Sequence, residues 1–213
     1  MENNFVEPAV EPTKNTQVFD KIIEWCIYLF IFLTPLWFLP FTRDILNFHK
    51  QALMVILITV ALIAWLSKLL TKERVGWHKN IVVFFLLAFV IIYGISTIFS
   101  IRPYSSLMGF DNHLSRSLIN VIYFFIFFLL LVNYKIEEEN RSVEILKLLG
   151  LFLLSSFIVG IIGLFQMLGI NIFPWSVTKT SSFNTIGSAT GFGMFLATLL
   201  PTTLCLLFSV KKK

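Results

Sequence analysis

Residues 81–134 read I-V-V-F-F-L-L-A-F-V-I-I-Y-G-I-S-T-I-F-S-I-R-P-Y-S-S-L-M-G-F-D-N-H-L-S-R-S-L-I-N-V-I-Y-F-F-I-F-F-L-L-L-V-N-Y. The flanks, 81–100 and 118–134, are almost wholly aliphatic and aromatic. Between them Ser100–Ser117 is a polar island that carries Arg102, Asp111, His113 and Arg116 together with Pro103, Gly109 and five serines. Each flank has close to the roughly 20 residues that a helix rising about 1.5 Å per residue needs to cross roughly 30 Å of hydrocarbon. The stretch therefore reads as two membrane helices joined by a short polar connection.

The same texture runs outward in both directions. The chain is 57% hydrophobic and 14% charged, with 24 phenylalanines among its 213 residues. Soluble domains run near about 45–50% apolar and about 25% charged, so a soluble core could not absorb this much apolar surface. Six apolar stretches, near 22–41, 52–70, 81–100, 118–134, 146–168 and 188–210, predict an all-α polytopic membrane bundle. In lipid the backbone must satisfy its own hydrogen bonds, so these spans are helices. No alternating ten-residue pattern suggests a barrel. Residues 1–21, acidic and proline-bearing, read as a disordered tail without signal-peptide features. Residues 211–213 are a basic end.

Orientation follows from the lysines and arginines. One set of connections, comprising both termini and the segments 68–80 and 135–147, holds twelve of them, and the alternate set holds five. This imbalance predicts cytoplasmic termini and places 42–51, Ser100–Ser117 and 169–187 on the outer side. The span centres contain no Asp, Glu, Lys, Arg or His, which argues against a carrier that couples ions at the midplane. In the fifth span Ser156, Gly160 and Gly163 form a small-residue face suited to close helix contact, continued by Gln166.

Few residues offer chemistry. Cys26 and Cys205 lie in apolar runs and predict inert free thiols, and His49, His78 and His113 lack ligand spacing, so no metal or cofactor is expected. The basic charge reads as topology and contact with membrane lipids, with no nucleic-acid partner. Arg102 and Arg116 bracket the outer loop. Their planar, permanently charged forks suit a lipid-linked diphosphate, and the alternative is that both anchor to headgroups. Asp111 and His113 read either as an acid–base pair or as solvated turn residues. Arg43, Asp44, His49 and Lys50 read as interface anchors. In the stretch Ser181–Ala197, Asn184 and its neighbours could cap the last helix, whose N-terminal dipole faces outward. Arg43, Asp111, His113, Gln166 and Asn184 are thus candidate polar contacts on the outer face.

Three stretches carry a family resemblance: T-P-L-W-F-L-P-F-T-R-D at 34–44, S-T-I-F-S-I-R-P-Y-S-S-L-M-G at 96–109, and N-T-I-G-S-A-T-G-F-G-M-F-L-A at 184–197. Together they resemble the O-antigen ligase and O-antigen polymerase family, in which a Ser-Pro-Ser-Gly outer loop precedes an arginine that Arg116 matches. The family usually reads Gly-Asn-Pro-Asn in the later segment, where this chain has Gly187, Ser188, Ala189 and Thr190. The resemblance implies a metal-independent glycosyltransferase of the bacterial cytoplasmic membrane. It would move a glycan from an undecaprenyl diphosphate carrier to an acceptor on the outer side. Arg116 and Arg102 would then hold the diphosphate. Family members carry further spans and a long Arg- and His-bearing outer loop, so the chain is expected to correspond to their N-terminal membrane portion. The alternative expectation is a non-enzymatic six-span scaffold or lipid-binding protein, with transport a more distant third. Nothing in the sequence fixes the oligomeric state.

Overall fold

The computed structural model describes residues 14–38, 47–71, 81–109, 117–133, 141–170, 172–175, 184–187 and 189–210. They form helices α1 (Lys14–Leu36), α2 (Asn47–Thr71), α3 (Ile81–Ile98), α4 (Pro103–Met108), α5 (Leu118–Asn133), α6 (Arg141–Met167) and α7 (Ala189–Val210), with no strand among the described residues. The all-α expectation holds. Each expected apolar stretch falls largely on a helix, and four helical segments are long and apolar enough to cross a membrane: Phe48–Thr71, Ile81–Ile98, Val143–Met167 and Thr190–Phe208. α5 is apolar but has 16 residues, about 24 Å of rise. α1 starts at Lys14, ahead of the apolar stretch, and carries Asp20, Lys21 and Glu24 in its first half.

α1 and α2 form the centre of the bundle. On α1 the buried residues Ile23, Cys26, Ile27 and Phe30 repeat at three- and four-residue steps, which puts them on one helical face. α2 answers with Met54, Ile58, Ala61 and Ala64, all buried, and these two alanines let the helix axes come close. The pair is antiparallel. Asp20 near the start of α1 meets Lys68 in the last turn of α2, and Thr34 and Lys50 line a common cavity at the opposite end.

α5 and α6 close on this hairpin. Leu130 of α5 joins the cluster around Cys26, Phe30, Met54, Ile58 and Ala61, and the rings of Phe30 and Phe127 lie 4.6 Å apart. The Thr59 and Tyr123 hydroxyls, 3.3 Å apart, link α2 to α5. Ser155 of α6, fully buried, donates to the Phe32 carbonyl of α1 at 2.6 Å. Such polar links matter because lipid supplies little hydrophobic force to drive one helix onto another.

α3 and α7 are peripheral. α3 packs on α5 and α4, and Thr97 is its only buried residue. Phe84, Phe85, Phe89, Ile91, Ile92 and Ile95 all point outward. A helix that is apolar all round and unburied in the folded chain suits contact with acyl chains. The described residues are thus those of an all-helical membrane protein.

Candidate functional site

The polar island that organises the sequence contains its own short helix. α3 ends at Ile98, and the chain turns through Phe99 and Ser100 and enters α4 at Pro103. Proline at the first helical position loses no hydrogen bond, because that N–H has no partner within the helix. At the other end Gly109 adopts a left-handed φ of 76° and donates to the Ser105 carbonyl at 2.8 Å, a stop that glycine makes without steric cost. The Ser100 and Ser106 hydroxyls, 2.8 Å apart, tie the turn to the helix.

Arg102 occupies the N-terminal boundary of α4 and is exposed, and its backbone N–H donates to Ser100 Oγ. Beside it lies a cavity of about 520 Å³ lined by Tyr93, Ser96, Thr97, Phe99, Ser100, Ile101 and Ser106. Five of these seven residues carry a hydroxyl: Tyr93, Ser96, Thr97, Ser100 and Ser106. The island closes at Ser117, which is fully buried and accepts from the Asn120 backbone N–H at 3.2 Å, capping α5. Arg116, Asp111 and His113 lie outside the described residues, as does Arg43.

The remaining candidates sit at the same end of the bundle on other elements. Gln166, in the last turn of α6, is 1% exposed. Asn184 is also buried, and its carboxamide oxygen accepts from the backbone N–H groups of Ile186 and Gly187 at 3.1 and 2.8 Å. That bond pattern is a local turn held by a side chain. Gly187 follows at φ 135°, a conformation that favours glycine. Phe38, Phe173 and Trp175 cluster with ring centroids 4.8 to 6.2 Å apart, Phe173 stacked on Trp175 and Phe38 edge-on to both. They join the exit of α1 to the segment after α6.

One residue gains a role that its sequence neighbourhood concealed. Lys50 belongs to a cluster read as interface anchors, yet its Nζ donates to the Thr185 carbonyl at 2.5 Å. It lines a cavity of about 300 Å³ together with Phe30, Ile31, Thr34, Pro35, Phe124, Phe152, Ile186 and Phe195. The clue lies in the spacing. Lys50 continues the buried stripe Met54, Ile58 and Ala61 by one turn toward the helix N-terminus, so its stem follows the inward face of α2.

The small-residue face of α6 also divides in two. The Phe192 ring of α7 lies so close to Gly163 that an added Cβ would meet it at 2.5 Å. Gly160, one turn earlier, has nothing within 4 Å of that position and opens onto an apolar cleft of about 550 Å³ between α6 and α7. Gly163 is therefore a helix contact and Gly160 is not. No protein-family model, no curated protein and no solved structure matches the chain.

Proposed function

We propose that the chain forms the membrane bundle of an O-antigen ligase- or polymerase-like glycosyltransferase. It would sit in a bacterial cytoplasmic membrane and act on a glycan carried by undecaprenyl diphosphate during envelope polysaccharide synthesis. The single observation behind this reading is the stretch Ser96–Gly109. Its resemblance to the family loop coincides with a turn, a short helix and a hydroxyl-lined cavity beside Arg102. A polar group held at the membrane surface suits such a cavity.

The reading requires six crossings with both termini inside, as the distribution of lysine and arginine favours. Ser100–Ser117 and the segments around Lys50 and Asn184 then share the outer side. The chemistry asks little of the protein. Diphosphate is already a good leaving group, so the main demands are cations for its developing charge and a base for the acceptor hydroxyl. Arg116 and Arg102 supply the charge through paired N–H donors, and the reading calls for no metal or cofactor.

Glycan transfer in cells that lack the chromosomal copy tests this reading. Deletion abolishes transfer, and a plasmid copy restores it. Arg116→Ala lowers transfer about 100-fold, the loss seen when a charge-stabilising donor is removed, while the protein stays in the membrane at its normal level. Arg116→Lys recovers little, because the bidentate fork is gone. Undiminished transfer in the deletion strain overturns the enzyme reading, and undiminished transfer by Arg116→Ala overturns the assignment of that residue alone.

A further inference from the structure

The Lys50 cavity has an uncommon composition. Its wall is built from Phe30, Ile31, Phe124, Phe152, Ile186 and Phe195, contributed by α1, α5, α6, α7 and the segment before α7. The Thr34 hydroxyl on the same wall is used within α1, where it donates to the Phe30 carbonyl at 2.5 Å. Among the described residues, Lys50 is the only charged one in the lining. An ammonium has three donors and no acceptor. The Thr185 carbonyl takes one donor, and no carboxylate lies within ion-pair reach of Lys50 among the described residues. The hydroxyl of the same residue, Thr185, is buried with no hydrogen-bond partner among the described residues.

Each simple occupant leaves part of this site unsatisfied. An apolar molecule would fill the aromatic wall and leave a positive charge without a counter-charge at the membrane boundary, which is costly. A small soluble anion would answer the charge and leave the apolar wall facing water. An amphipathic anion satisfies both. We propose that the cavity is a binding site for a phosphate-bearing lipid, with part of its hydrocarbon chain against the aromatic wall and its phosphate on the Lys50 ammonium. The volume, near the lower end of the roughly 300–1,000 Å³ typical of ligand sites, suits a segment of one chain. A lysine serves as a point charge toward phosphate, so the site asks for charge more than for a fixed bond geometry. It stands whether or not the chain transfers a glycan.

The test uses the full chain, purified in neutral detergent and stripped of lipid, with bound lipid counted by native mass spectrometry. Phosphatidylglycerol and undecaprenyl phosphate are offered separately, with diacylglycerol as the uncharged reference. The wild-type protein retains one copy of at least one phosphate lipid about tenfold more tightly than diacylglycerol, the ratio expected for one charge-assisted hydrogen bond. A preference for phosphatidylglycerol identifies a bulk membrane lipid, and a preference for undecaprenyl phosphate identifies an isoprenoid carrier. Lys50→Met loses that preference, and Lys50→Arg keeps it. Ile186→Trp fills the cavity with Lys50 in place and lowers retention of either lipid. Equal retention of diacylglycerol by the wild type overturns the proposal, as does an unchanged preference in Lys50→Met. Should Lys50→Met fail to fold, undiminished retention by Ile186→Trp overturns it.

Discussion

The two ends of α2 carry one lysine each in opposite settings. Lys68, in the last turn, meets Asp20 of α1, and both side chains are largely buried, at 14% and 18% exposure. Its charge also opposes the negative end of the helix dipole. Lys50, in the first turn, sits where that dipole is unfavourable to a cation, has no carboxylate beside it among the described residues, and faces an apolar cavity. One end resembles a clasp that closes the α1–α2 hairpin. The other resembles a charge awaiting an external partner. Helix packing explains Lys68 completely and Lys50 only in part, so the two should respond differently to removal.

The largest difference concerns stability. Lys68→Met strands the Asp20 carboxylate in a largely buried position and should destabilise the fold by about 3 kcal/mol, the scale for a buried pair that loses one member. Lys50→Met strands no acid among the described residues. It removes one bond to a backbone carbonyl, so in lipid-free detergent it should cost about 1 kcal/mol or less. Thermal unfolding of the purified protein measures both. Asp20→Asn combined with Lys68→Met should recover most of the loss, because the stranded charge is then absent. Equal losses from the two lysine substitutions would erase the distinction between the ends.

The second contrast lies within the small-residue face of α6. Gly163→Ala pushes a methyl group into the Phe192 ring, at 2.5 Å before relaxation, and should cost about 1–3 kcal/mol as overpacking. Gly160→Ala meets nothing within 4 Å and should be neutral or stabilising by up to about 1 kcal/mol, because alanine is the better helix former. Melting temperatures of the two variants in one detergent decide this. A costly Gly160→Ala would mean that another surface covers the α6–α7 cleft.

How far this could be read from the residues follows from which signals are local. Apolar length marked the helices, because crossing hydrocarbon is a one-dimensional requirement that each segment meets by itself. Packing partners were less legible: α3 and α5 are similarly apolar, yet α3 is peripheral and α5 shares the core with Phe30 and Met54. Such uniformly apolar helices have no amphipathic stripe to reveal the inward face. α4 had local signals in Pro103 and Gly109, which begin and end it, although the stretch reads first as a polar connection. Lys50 was concealed among Arg43, Asp44 and His49, where charge density suggested anchoring. Its register with Met54 and Ile58 was the informative feature. Arg102, Gln166 and Asn184 all fall on described segments, and the conversion of Asn184 into a backbone tie depended on the chain's path after Trp175. A side chain's hydrogen bonds to its own loop are visible only once that loop is folded.

The smallest expected effect tests whether the clasp extends beyond Asp20 and Lys68. Tyr28 of α1 donates to Glu144 Oε2 of α6 at 3.0 Å, and Lys147 donates to the other carboxylate oxygen at 2.5 Å. Glu144 therefore keeps a cationic partner when the tyrosine hydroxyl is removed. Tyr28→Phe retains the ring and leaves no stranded charge, so it should cost about 1 kcal/mol. Glu144→Gln should cost a similar amount, and the double substitution less than the sum, because both act through one bond. Strict additivity in this cycle would show that the link contributes nothing. The α1–α6 contact would then rest on packing and on the Ser155 bond to Phe32, and the clasp would end at α2.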